Sequence, residues 1–210
     1  GIPWEVRRYK TITMKLSSLQ RDILVGTILG DAFLQKTGER NARLRLEQGA
    51  KQKSYLLWKV EQLSQLFQGK AKYLKRVHPL TRKTYEYWRH QSQSMPELGV
   101  LRRIFYPSGR KTIPENLEVF LRSPRVLAVW YMDDGYYYQR DRVSYLYLGN
   151  VTRHEAEVAS SALRKKYDLT SRVLAKKKGF ALYFPPAEAR KLAVLIRGYI
   201  LDEFSYKLPS

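Results

Sequence analysis

The chain has 210 residues, 44% of them hydrophobic, enough to bury a core as one large domain or two small fused units. Its 39 Lys and Arg against 19 acidic residues give a net charge of +20, which implies a polyanionic partner. Nucleic acid leads a membrane surface here, because no uninterrupted apolar stretch is long enough to span a bilayer. The absence of cysteine excludes a disulfide scaffold and any thiolate metal site. His78, His90 and His154 are scattered, which disfavours a histidine zinc centre and leaves oxygen ligands and a hard ion such as Mg²⁺ for any metal. No secretory signal is visible, and Gly1 in place of Met suggests a trimmed or excised fragment.

Residues 1–16 are mixed in character and predict a loose arm. Ser17-Ser-Leu-Gln20 reads as a helix start, with Ser17 as N-cap and Gln20 reaching back in a capping box. That helix runs into Leu24-Val-Gly-Thr-Ile-Leu-Gly-Asp-Ala32, an apolar run ending in an acid beside a small residue. Strands are expected at 31–36 and 42–48, around the turn Lys36-Thr-Gly-Glu-Arg40. Strict alternation in the second strand sends Leu44 and Leu46 one way and Arg43 and Arg45 the other. An amphipathic helix over 53–67 follows, with Leu56, Leu63, Leu66 and Phe67 among its apolar positions. A second hairpin over 71–78 and 84–91 and a helix over 95–105 complete the first unit. The Pro- and Gly-punctuated stretch from Pro107 reads as a linker.

The pattern then recurs. Ser123-Pro124 starts a helix that carries Leu127-Ala-Val-Trp-Tyr-Met-Asp-Asp-Gly135. Strands are expected at 136–140 and 143–149. Thr152-Arg-His-Glu155 is a capping box that opens a helix to Tyr167. Strands at 171–176 and 179–184 and a helix from Pro185-Pro186 to Gly198 close the chain. A repeat of about 100 residues exceeds small solenoid units and fits duplication of a whole domain. The division reads as an arm (1–16), a first half (17–106), a linker (107–122) and a second half (123–210).

Aligning the two apolar runs places Asp134 on Asp31. Two such helices packed side by side would bring two carboxylates to a shared centre, and paired acids on a basic body suggest metal-dependent chemistry on a nucleic-acid backbone. Gly26 and Gly30, four apart, would let another helix approach closely, with Ala128 playing part of that role opposite. Asp133 falls on the Gly30 position. It reads as a supporting group, a helix-end acceptor or a solvated acid rather than a catalytic one. Gln35, Lys36, Arg40, Arg43 and Arg45 are echoed by Arg140, Arg142, Lys176, Lys177 and Lys178, with Tyr136-Tyr-Tyr138 interleaved. A two-stranded ribbon can enter the major groove, where Arg and Gln read base edges, while most other Lys and Arg contact phosphate. Lys59 and Lys165, on helices, read as plain surface.

The two runs resemble the paired signatures of LAGLIDADG homing endonucleases, in the monomeric, two-motif, intron-encoded branch. Lys111-Thr-Ile-Pro-Glu-Asn116 and the tail Tyr206-Lys-Leu-Pro209 add to the likeness, which covers nearly the whole chain from Leu16. The resemblance implies an α/β (α+β) fold of two pseudo-symmetric αββαββα halves forming a DNA-binding saddle. It implies that Asp31 and Asp134 hold Mg²⁺ or Mn²⁺, and that Lys111 and Lys207 flank the active centres. Gln48 matches a polar residue that ends the second strand near the metals, and its counterpart falls near Gly149 or Asn150, not on a glutamine. The DNA-facing set is Gln35, Lys36, Arg40, Arg43, Arg45, Tyr138, Arg140, Arg142 and Lys176 to Lys178. The implied activity is site-specific cleavage of double-stranded DNA at a long asymmetric target by a monomer, of organellar origin (mitochondrion or chloroplast). The alternatives are an RNA-binding intron maturase of the same fold and a transcription regulator that lost catalysis. Intact Asp31 and Asp134 favour the nuclease.

Overall fold

A computed structural model describes residues 4–11 and 15–210. The first part of the chain runs α1 (Trp4–Thr11), α2 (Ser18–Leu29), β1 (Phe33–Lys36), β2 (Ala42–Gly49), α3 (Lys53–Gln62), β3 (Lys72–Val77), β4 (Thr84–Gln91) and α4 (Pro96–Phe105). A short α5 (Leu117–Phe120) precedes the second run: α6 (Pro124–Asp134), β5 (Gly135–Tyr138), β6 (Val143–Gly149), α7 (Arg153–Tyr167), β7 (Arg172–Lys176), β8 (Gly179–Phe184) and α8 (Pro186–Ile196). Two four-stranded antiparallel sheets result, ordered β1-β2-β4-β3 and β5-β6-β8-β7, the same topology twice. No helix among the described residues is long and apolar enough to cross a membrane.

Local chemistry sets the ends of the two central helices. The Ser17 Oγ accepts from the Gln20 N–H, and the Gln20 Oε1 accepts from the Ser17 N–H, so two of the orphan donors at the start of α2 are satisfied. The Ser123 Oγ caps α6 by accepting from the Arg125 N–H, with Pro124 at the first helical position. Both helices are buried over unbroken stretches, Asp22 to Leu29 and Val126 to Met132, and pack on one another. Gly26 makes this approach possible: a Cβ there would lie 2.7 Å from the Val126 carbonyl oxygen and 2.7 Å from the Val129 Cβ. Near their N-terminal ends, buried Asp22 of α2 binds Arg122 and Arg125 at 3.0 Å each. Each sheet lays one face on this core. The pattern of β2 is fully alternating, with Ala42, Leu44, Leu46 and Gln48 inward and Arg43, Arg45 and Glu47 half-exposed.

Several expectations need correction. The segment read as a loose arm contains α1, whose Tyr9 ring lies 4.7 Å from that of Phe120; residues 1–3 and 12–14 of that segment lie outside the described residues. The helix expected over 53–67 ends at Gln62, where Leu63 leaves helical geometry, and a 3₁₀ turn carries Ser64–Leu66. The stretch 107–122, read as a linker, packs on the core through buried Ile113, Leu117, Phe120 and Leu121. Lys59, read as surface, is 0% exposed and pairs with Asp133. Its periodic position on α3 put it on the buried stripe with Tyr55 and Leu63, and an acid from the other half supplies the counter-charge. Lys165 is exposed.

Candidate active centre and nucleic-acid interface

The C-terminal ends of α2 and α6 deliver Asp31 and Asp134 to one place. The Asp31 N–H donates to the carboxylate of Asp133, the residue before Asp134, at 2.9 Å, so the two acids are near neighbours. Burial, followed by the facing Asp31 and Asp133 carboxylates, holds Asp134 well above the ordinary carboxylate range. The Gln48 Nε2, at the inward end of β2, donates to the Asp31 Oδ2 at 3.3 Å. The ladder shows what stands opposite. Phe33 pairs with Arg45 as Tyr136 pairs with Tyr145, and Gln48 stands opposite Trp88 as Gly149, past a bulge at Leu148, stands opposite Phe180, so the counterpart of Gln48 is Gly149 and not a glutamine. Leu148, Asp134, Lys111, Gly30 and Tyr147 line a concavity of about 420 Å³.

Two lysines hold the helix ends. The Lys111 Nζ donates to the Gly30 carbonyl at 2.7 Å and the Ala32 carbonyl at 3.1 Å, bracketing Asp31. The Lys207 Nζ, brought in by a 3₁₀ turn over Asp202–Lys207, donates to the Met132 carbonyl at 2.6 Å. A cation at a helix C-terminus is electrostatically favourable. Burial lowers the pKa of both lysines, against the pull of Asp31, Asp133 and Asp134.

Asp133 is the residue whose role sequence alone left open. Its side chain is fully buried, with the Lys59 Nζ 2.9 Å from each oxygen and the Tyr55 hydroxyl donating to Oδ1. Its Oδ2 also accepts the Asp31 N–H at 2.9 Å. Burial raises Asp133 and Lys59 opposes that shift. Burial and the neighbouring Asp133 charge lift Tyr55 well above the usual phenol range, so its hydroxyl stays a donor.

The outer faces of the two sheets carry unlike chemistry. On the first, Arg43 Nε donates to Gln35 Oε1 at 2.8 Å, and Arg45 lies over the Phe33 ring. β4 adds Tyr85, Tyr87, Arg89 and Gln91 to this face, with Arg89 bound to Glu47 at 2.7 Å and Arg76 of β3 over Tyr87. Sequence reading missed these β4 residues, although their period-two spacing was available. Lys36 ends β1 and Arg40 lies in the turn after it, both exposed. On the second sheet, Tyr136, Tyr138, Tyr145 and Tyr183 form a ring-to-ring network, and Tyr147 stacks on Tyr145. The Tyr138 and Tyr147 hydroxyls meet at 2.6 Å. Lys176 sits over Tyr145 and Arg172 over Tyr183. Arg140 and Arg142 occupy the β5–β6 turn, Arg142 in a left-handed conformation, and Lys177 and Lys178 the β7–β8 turn.

The donor set at the floor is all oxygen. Among the described residues no group of three or more His, Asp or Glu converges on one point, so a cation there would rest on two carboxylates, with water and substrate oxygens completing its shell. Neighbouring carboxylates, whose mutual repulsion adds to the raised Asp134, fit a hard divalent ion, which would relieve that repulsion.

Comparison with known proteins agrees with this geometry. A probable intron-encoded endonuclease 1 of Wickerhamomyces canadensis is 26% identical over 208 residues, spanning 97% of this chain and 89% of that protein. The cytochrome b mRNA maturase bI2 of Debaryomyces hansenii is 25% identical, over 89% of this chain and 72% of its own length. The homing endonuclease I-WcaI bound to its DNA recognition sequence superposes with a TM-score of 0.84 at 25% identity, over 97% of this chain and 92% of that one. I-DmoI in complex with DNA and Mn shares the fold, with a TM-score of 0.50 at 15% identity over 88% of this chain and 99% of that one. The LAGLIDADG DNA endonuclease family is matched over residues 21–192, through both apolar runs and their acids, and the chain belongs to that family.

Proposed function

We propose that this protein is a site-specific endonuclease that hydrolyses both strands of double-stranded DNA, using divalent metal, Mg²⁺ or Mn²⁺, at a long asymmetric target. The observation that carries this reading is the contact between the ends of α2 and α6, where the Asp31 N–H donates to the Asp133 carboxylate at 2.9 Å and Asp134 is the next residue. Residues 17–106 and 123–210 act as two halves joined by 107–122, and both acids lie in one polypeptide, so a monomer suffices. Asp31 and Asp134 would hold the metal, which when bound promotes ionisation of water and neutralises charge on the phosphate. Gln48 orients solvent beside Asp31. Lys111 and Lys207 keep spare ammonium protons beyond those bound to helix carbonyls and place fixed positive charge near the scissile phosphates.

The sheets supply binding. Arg43, Arg45 and Gln35 face base edges from the first half, and Tyr138 with Lys176 does so from the second. Lys36, Arg40, Arg140, Arg142, Lys177 and Lys178 contact phosphate from turns and strand ends. Relatives named as intron-encoded endonucleases point to an organellar gene.

The deciding experiment is cleavage of a randomised duplex library in Mg²⁺ by wild type, Asp31→Asn and Asp134→Asn, with sequencing of cut ends. Wild type should cut at one long asymmetric site, while both variants bind that site and leave it intact. Full cleavage by the variants refutes the assignment. The likeness to a cytochrome b mRNA maturase supports a second reading, intron-RNA binding by the same fold. Tight binding of a structured intron RNA with no DNA cleavage by wild type would favour it.

A further inference from the structure

Asp31 and Asp134 are matched in position but not in how they are held. Asp134 is the last residue of α6, so its backbone belongs to the helix, and the next N–H, that of Gly135, still bonds back to the Tyr131 carbonyl. Asp31 lies beyond its helix. α2 ends at Leu29, and Gly30 turns the chain away with φ −88° and ψ −119°. The neighbouring N–H groups still bond back into α2, Gly30 to Gly26 and Ala32 to Thr27 at 3.0 Å each, but the Asp31 N–H itself is held from a distance. It donates to Asp133 at 2.9 Å, and the carbonyls on either side of Asp31 are taken by Lys111. The acceptor is itself clamped by Lys59 and Tyr55 of α3, in the first half, while Asp133 belongs to the second. Space for this clamp exists because residue 30 is glycine: a Cβ there would fall 2.2 Å from the Asp133 Oδ2.

We infer that Lys59 and Tyr55 are positioning residues for Asp31, acting through the Asp133 carboxylate, and that Asp134 has no counterpart to this clamp. The inference rests on the reading of Asp31 and Asp134 as the paired acids of a nuclease. Lys59 keeps Asp133 in place beneath the floor, Asp133 holds the Asp31 N–H, and the Asp31 carboxylate is thereby aimed at the shared centre. Without Lys59 a buried carboxylate has lost its counter-ion, and it reorients or takes up a proton. The Asp31 peptide then loses its acceptor while α6 keeps Asp134 where it was. The two centres are mechanically unequal, so loss of the clamp slows the strand that depends more on Asp31.

The test uses the full chain with Tyr55→Phe and Lys59→Met, and Arg125→Met as control. Arg125, partly exposed, pairs with buried Asp22 at the far end of the same helix pair, where Arg122 still holds that acid, so its loss leaves the clamp at the floor untouched. Amide exchange is read first, without DNA. The Asp31 N–H is slow in wild type although Asp31 is exposed, and both clamp variants speed it about tenfold or more, leaving the Gly135 N–H unchanged. Single-turnover cutting is then followed on a supercoiled plasmid carrying the site recovered from the library. A displacement near 1 Å costs about a hundredfold in rate. Lys59→Met therefore accumulates nicked circles, one strand slowed about ten- to a hundredfold more than the other at near-constant affinity, while Arg125→Met shows no strand bias. Tyr55→Phe keeps the ion pair and should fold where Lys59→Met does not. Unchanged Asp31 exchange in folded variants, or equal slowing of both strands, overturns the inference. Wild-type cutting that survives Asp31→Asn overturns the nuclease reading beneath it.

Discussion

Replacing Gly26 by alanine adds one methyl group at the place where α2 and α6 come closest. That methyl would sit 2.7 Å from the Val126 carbonyl oxygen and 2.7 Å from the Val129 Cβ. Ordinary contact needs roughly 3.5–4.0 Å, so the helices must part by about 1 Å. One obstacle is backbone and cannot rotate away. Overpacking of this kind costs about 1–3 kcal/mol, offset by the ~1 kcal/mol that alanine gains over glycine in a helix. A net loss of up to about 2 kcal/mol follows, which in a chain of this size lowers Tm by up to roughly 8 °C. The effect on cutting should be larger, because parting the helices parts Asp31 from Asp134, and a shift near 1 Å costs about a hundredfold. Gly198→Ala is the control: nothing lies within 4 Å of its Cβ position, and such a change should be neutral or stabilise by up to about 1 kcal/mol. Urea melts and single-turnover cleavage of both variants test the reasoning. A Gly26→Ala protein that cuts at the wild-type rate refutes it.

Lys111→Met and Lys207→Met should each raise the barrier to cutting by about 2–4 kcal/mol with a smaller effect on affinity, and equal losses in both assays would make these lysines phosphate anchors instead. Asp134 is raised in the fold, so the folded chain holds that proton more tightly than the unfolded chain, whose aspartates ionise near about 3.9. Metal-free protein should therefore lose stability as pH rises from there toward the folded value. In EDTA Asp134→Asn should melt above wild type at about pH 7 with the gap closing near pH 4, and a gap independent of pH contradicts the assignment. Binding should be steeply salt-dependent, with about ten phosphate contacts giving a slope of log K against log salt near −9. Lys177→Ala should flatten that slope by about one unit for all sequences alike, whereas Arg43→Ala or Arg45→Ala should cost roughly 1–3 kcal/mol and relax preference at one position. An unchanged cleavage-site profile for both arginine variants would remove that face from base reading.

Much of this was legible in local sequence because the determinants are local. Capping boxes at Ser17 and Thr152 fix helix starts within four residues, and strict alternation in β2 separates Leu44 and Leu46 from Arg43 and Arg45. The paired apolar runs announce the central helices because a helix buried all round must be apolar all round. What escaped depends on partners far along the chain. Lys59 occupies a core position of α3 by period, three residues after Leu56 and four before Leu63. Only Asp133, from the other half, makes a buried lysine tolerable there. The pairing of β2 with β4, which adds Arg89 and Tyr87 to the outer face, depends on sheet order rather than on either strand alone. Lys207, which reaches its helix end through a 3₁₀ turn without a periodic apolar signal of its own, was legible only through the family likeness of the tail Tyr206-Lys-Leu-Pro209.

The backbone repeats and the side chains do not, and the floor shows why one chain must hold both halves. Were the molecule a dimer of identical halves, positions 30 and 133 would carry one residue type. Glycine at both would leave Lys59 buried without its counter-charge. Aspartate at both would force two carboxylates into space that admits one, since even a Cβ at residue 30 meets the Asp133 Oδ2 at 2.2 Å. Fusion removes that constraint: one half gives up its side chain so that the other can insert a charge across the boundary. The same freedom operates on the outer faces. A guanidinium-rich sheet centred on Arg43, Arg45 and Arg89 and a phenol-rich sheet of Tyr136, Tyr138, Tyr145 and Tyr183 cannot present the same donors and apolar edges to a groove. On the proposal that these faces read the groove, a palindromic target would leave one of the two sheets mismatched, which is the physical ground for expecting an asymmetric duplex.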